Sequence, residues 1–141
     1  MRRIVIGVGN PTRGDDAAGL EVARRVRNVE AHQEVNGSYE LMDVWEGADE
    51  VIVVDAARSG APPGTVHRFD AHDEPLPSGI LATSTHSVGV MEAIEMARSL
   101  GRLPERVVVY GIEASNLTLG AGLSPRVEEA VNELVMEIDR A

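Results

Sequence analysis

Apolar positions along this chain follow two rhythms. Continuous runs rich in β-branched residues occur at 4–8, 51–54 and 106–110, as expected of strands buried on both faces of a parallel sheet. Elsewhere the apolar residues recur at helical spacing. Val90, Ile94, Ala97 and Leu100 give one face to a helix over 87–100, which Gly101 stops, and Val127, Val131, Leu134, Val135 and Ile138 give a stripe to a last helix. That helix has Ser124 as its cap and Pro125 at its first position. A helix over 17–27 follows the first strand. A shorter one over 39–45 carries the sole Trp, Trp45, read as a core residue.

The polar segments complete the pattern. Residues 29–35 mix polar and apolar positions and are read as a second strand before the turn signal Asn36-Gly37-Ser38. Residues 65–69 alternate as a half-buried antiparallel edge strand does. The stretch 70–84, with two prolines and several acids, reads as a surface loop bordering a site. Strands alternating with helices predict one domain over 1–141, a three-layer α/β/α sandwich. Its sheet is twisted and mostly parallel, of about five strands, with one antiparallel edge strand.

Composition narrows the partners. The 141 residues, 43% hydrophobic, suffice for one domain with a core. A net charge of −10 repels both nucleic acid and anionic membrane, and one Trp, one Phe and two Tyr offer no stacking platform for bases. Cysteine is absent, which excludes disulfides, thiolate metal sites and a cysteine nucleophile. No apolar run approaches the ~20 residues of a membrane span, and Met1-Arg2-Arg3 leads straight into a strand, so a cytoplasmic protein is expected.

The chemistry concentrates where strands end. After the first strand comes Gly7-Val8-Gly9-Asn10-Pro11-Thr12-Arg13-Gly14-Asp15-Asp16. A strand, Gly-x-Gly and a helix open a dinucleotide-binding unit, but the third glycine of that fingerprint falls on Thr12, and the helix N-terminus carries two acids where a pyrophosphate would need amides. Such a terminus suits a cation better. Asp15 is read as a helix cap worth roughly 0.5–2 kcal/mol, with Asp16 open to a metal-facing role. Asp55 ends the second strong strand and His86 lies at the entrance of the helix over 87–100. Ligands of open α/β sheets bind beyond the carboxyl ends of the strands, where Asp16, Asp55 and His86 all fall.

Two carboxylates and an imidazole can form an incomplete shell for a divalent first-row ion. Each also has an ordinary reading: a cap for Asp16, an acid bonded to turn amides for Asp55, a satisfied loop histidine for His86. If the trio is a site, the three side chains approach closely enough to share one ion. His67, a strand residue, and His72, solvated, lie outside it. There is no His-Glu-x-x-His helix and no Gly-x-Ser-x-Gly elbow.

Several motifs taken together resemble the hydrogenase maturation endopeptidases: Gly7-x-Gly9-Asn10, Asp15-Asp16-x-x-Gly19, Val53-Val54-Asp55-Ala56, His86-Ser87-x-Gly89, Gly111-Ile112-Glu113 and Gly122-Leu123-Ser124-Pro125. The resemblance spans nearly the whole chain and implies removal of a C-terminal extension from the large-subunit precursor of a nickel-iron hydrogenase. It implies that Asp16, Asp55 and His86 engage nickel and carry the reaction, Asp16 standing where relatives have Asp or Glu. Ni(2+) would be presented by the substrate, with other divalent metals substituting in vitro. The hydrogenase precursor is the implied partner, and the protein is expected to be a monomer or weak homo-oligomer. One departure is Asn36-Gly37-Ser38, where relatives often carry Gly-Gly-Thr or Gly-Thr. The alternative function is a non-catalytic nickel-checking or nucleotide-binding α/β module.

Overall fold

A computed structural model describes residues 1–35, 38–73, 80–81 and 89–141. Its strands are β1 (Arg3–Val8), β2 (Glu30–Glu34), β3 (Glu50–Ala57), β4 (Val66–Asp70) and β5 (Arg106–Glu113), and its helices are α1 (Ala18–Arg25), α2 (Leu41–Val44), α3 (Val90–Ser99) and α4 (Pro125–Arg140). The five strands form one sheet in the order β2-β1-β3-β5-β4, all parallel except β4, which runs antiparallel at the edge. The three β-branched runs became the three central strands. The mixed segment became β2, a largely exposed edge.

Alternate strand residues feed two cores. Ile4, Ile6, Val51, Val53, Val107 and Val109 pack under α2 and α3, while Val5, Ile52, Val54 and Ile112 pack under α1 and α4. The sandwich therefore has three layers, with Trp45 buried and its indole N–H donated to the Arg102 carbonyl at 3.2 Å. Three expectations shift. Leu100 is exposed, because α3 ends before it, and Met91 joins the core instead. Helix α1 begins one residue late, after a 3-10 turn at Gly14–Ala17 that holds both acids. Residues 70–84 are not purely surface: Ala71 and Leu81 are buried in the core, and Leu81 bridges to Ala57.

Strand order places a switch point between β1 and β3. The chain leaves β1 over one face through α1 to reach β2, then crosses the other face through α2 to reach β3, so the carboxyl ends of β1 and β3 border a crevice. Glycines set its depth. A Cβ on Gly19 would collide with the carbonyls of Val54 and Val8, and one on Gly7 with the Gly19 carbonyl, so α1 lies directly on β1 and β3. Gly19→Ala is thus expected to destabilise the fold by about 1–3 kcal/mol, the usual cost of overpacking. Thermal denaturation checks this, and an unchanged melting temperature would show that helix and sheet part without cost.

Candidate functional site

Two acids stand at the switch point. Asp16 sits in the 3-10 turn after β1, whose amide closes on the Arg13 carbonyl at 3.0 Å. Asp55 is near the carboxyl end of β3, in register with Gly111 of β5, over which Leu81 packs. Both are buried. Asp55 Oδ1 accepts the N–H of Ala56 at 2.8 Å. Burial pushes the Asp55 carboxyl well above its ordinary range, the Ala56 amide opposing, and the charge of Asp16 pushes it further. Burial also raises Asp16, against the pull of Arg13 and the Asn10 amide. Carboxyls that repel one another in a dry crevice bind a proton or a cation readily.

Asp15 has a different job from the one read in the sequence. The 3-10 turn and α1 have no side-chain cap. The Asp15 carboxylate is fully buried, and it accepts the N–H groups of Ser115 and Asn116 at 2.8 Å, the N–H of Ser124 at 2.7 Å and the Ser124 hydroxyl at 2.7 Å. Burial alone would raise this carboxyl, but the four donated bonds outweigh it and hold it below its ordinary value. Ser124 sits at the cap position of α4, yet its hydroxyl is spent on Asp15 rather than on the helix. Asp15 is thus a clamp between the turn carrying Asp16 and the loop that leads into α4.

A further cluster lies at the ends of β3, β4 and β5. The buried Glu113 accepts the Ser59 hydroxyl at 2.7 Å and the Ser59 amide at 3.0 Å, and its Oε1 lies 3.1 Å from His67 Nε2. Sequence reasoning treated His67 as a plain strand residue and Glu113 only as part of a motif. The available signal was an acid closing a buried apolar strand, the same signal that marked Asp55. Because serine, histidine and glutamate meet at one carboxylate oxygen, Ser59 donates to Glu113 and not to the imidazole, so the trio fastens the turn after β3. His72 Nε2 is 2.7 Å from the Pro104 carbonyl.

His86 lies outside the described residues, as does most of the turn at Asn36-Gly37. Among the described residues no three metal-binding side chains come together. The donors that Asp16 and Asp55 bring to the switch point are two hard oxygen groups, suited to touching one face of an ion rather than enclosing it. No helix among the described residues is long and apolar enough to cross a membrane.

Known proteins resemble this chain over nearly its whole length. A family model described as hydrogenase maturation protease matches residues 17–141. The hydrogenase expression/formation protein HupD of Bradyrhizobium diazoefficiens is 30% identical over 139 residues, an alignment covering 92% of this chain and 72% of that protein. HupD of Thiocapsa roseopersicina is 27% identical over 94% of this chain, which spans 63% of that relative's length. Among solved structures, a [NiFe] hydrogenase maturation protease HybD from Thermococcus kodakarensis superposes with a TM-score of 0.76 at 25% identity, covering 99% of this chain and 98% of that one.

Proposed function

This chain belongs to the hydrogenase maturation protease family, and we propose that it removes a C-terminal extension from the large-subunit precursor of a nickel-iron hydrogenase once that precursor holds its metal. The observation supporting this reading is the buried pair Asp16 and Asp55 at the switch point, each raised by burial and the second also by the first. A nucleotide is poorly served there. Asp15 occupies the amides that follow β5, and Asp16 puts negative charge where a phosphate would sit.

In this account nickel is part of the substrate. The precursor's own ligands hold it, and Asp16 and Asp55, with His86 as third group, meet its open face. A cation between the carboxylates replaces the proton that burial favours, so an empty precursor gains nothing from the same contact. Hydrolysis needs a base. One carboxylate accepts a proton from water as the water oxygen bonds to the scissile carbonyl carbon, then gives it to the nitrogen that leaves when the C–N bond breaks. The reaction belongs in the cytoplasm, where the precursor would be met before assembly.

Incubation with a nickel-loaded precursor tests the reading: mass spectrometry should find a large subunit shortened at its C-terminus. An intact precursor after exposure to folded protein would refute it. The isolated protein is expected to bind divalent ions weakly, since its own donors form an incomplete shell. Chelator should leave its melting temperature unchanged, and a drop of several degrees would reveal a structural metal.

A further inference from the structure

The chain has no lysine, and among the described residues only three arginines, Arg3, Arg13 and Arg25, are half-buried. Two of them meet carboxylates: Arg3 lies 3.5 Å from Glu50, and Arg25 lies 3.0 Å from Glu21 and 2.9 Å from Glu128. Arg13 forms no ion pair among the described residues. Its charge is nevertheless felt at the candidate site. Burial raises the Asp16 carboxyl, and Arg13 is the larger of the two influences that oppose it. The guanidinium therefore stands near Asp16 without closing on it. Withdrawing a cation from water costs free energy unless an anion or dipole meets it, and here its donors stay free for a third group.

The backbone that carries Arg13 is fastened on both sides. Thr12 donates its N–H and its hydroxyl to Asn10 Oδ1 at 2.9 and 2.8 Å, and its carbonyl accepts the Gly120 N–H at 2.9 Å. Beyond Arg13, its own carbonyl accepts the Asp16 N–H at 3.0 Å, and a Cβ on Gly14 would collide with the Asn116 carbonyl. Arg13 and Asp16 thus share one fixed turn. A donor rooted there has less freedom to lose when a substrate arrives.

We propose that Arg13 is a further catalytic residue, whose guanidinium donates to the scissile carbonyl oxygen while Asp16 or Asp55 takes a proton from the attacking water. This rests on the proposed function. As the water oxygen bonds to the carbonyl carbon, its proton passes to the carboxylate and the π pair of the C=O bond moves onto oxygen. Arg13 meets that developing negative charge. When the pair returns, the C–N bond breaks and the carboxylate's proton goes to the leaving nitrogen. The same cation opposes capture of a free divalent ion by Asp16.

Two variants test this with the nickel-loaded precursor. Arg13→Gln should lower kcat about 10²–10³-fold, the usual loss for one donor to an oxyanion, with KM within about two-fold. Arg13→Lys keeps the cation and should stay at least about ten-fold faster than Arg13→Gln. Titration of the isolated proteins with Ni(2+) alone should show tighter binding by Arg13→Gln than by the wild type. Wild-type kcat in Arg13→Gln, a raised KM at unchanged kcat, equal rates for the Lys and Gln variants, or an unchanged Kd for Ni(2+) each overturns the inference and leaves the functional reading standing. If the wild-type protein leaves the precursor intact, the functional reading falls and this one with it.

Discussion

Asp55→Asn is expected to lower processing of a nickel-loaded precursor by at least about 10²–10⁴-fold, the range for removing a positioned proton-transfer group, while the fold stays intact. The amide keeps an oxygen for the Ala56 N–H but can neither carry a proton nor hold a cation. Stability should move the other way. A carboxyl raised in the folded state favours folding below its ordinary value near 3.8, and that contribution is lost as pH rises toward the folded value. Because burial disfavours the charged carboxylate, Asp55→Asn should melt at the same temperature as the wild type or higher. His86→Ala should stop processing in the same way. Retention of a tenth or more of the rate by Asp55→Asn would remove Asp55 from the mechanism.

Asp15→Asn is expected to be the most destabilising of the acid substitutions. Four donors converge on this buried carboxylate, and the new amide turns N–H groups toward some of them. Each orphaned buried donor costs about 1–3 kcal/mol, so a loss of at least about 3 kcal/mol is expected, a fall of roughly 10 °C in melting temperature for a domain of this size. The pH signature is opposite to that of Asp55. With its carboxyl held below 3.8, Asp15 contributes stability above that value, and the contribution disappears as acid titrates downward through the folded value. The variant should therefore lose much of the wild type's stability change below pH 4. A shift of only one or two degrees would return Asp15 to the role of a simple helix cap.

Central strands were legible because burial on both faces leaves no room for polar positions: 4–8, 51–54 and 106–110 became β1, β3 and β5. The antiparallel edge was legible at 65–69 from its alternation, and the stripe on α4 from its helical spacing. Asp15 was misread because its partners lie about a hundred positions away, and nothing local separates a cap from a long-range clamp. Separations of 54 and 46 positions hid the cluster of Ser59, His67 and Glu113, which exists only once β3, β4 and β5 align. Gly7 and Gly19 stand in the sequence only as members of motifs, and the fold shows that α1 packs on β1 and β3 at these two glycines.

In the proposed function, the carboxylate pair at the switch point reads the metal in the precursor. The most direct measurement is the processing rate of one precursor prepared with and without nickel, followed by mass under identical conditions. Cleavage of the loaded form, and none of the empty form, is the predicted result. Equal cleavage of both forms by the wild-type protein would contradict it.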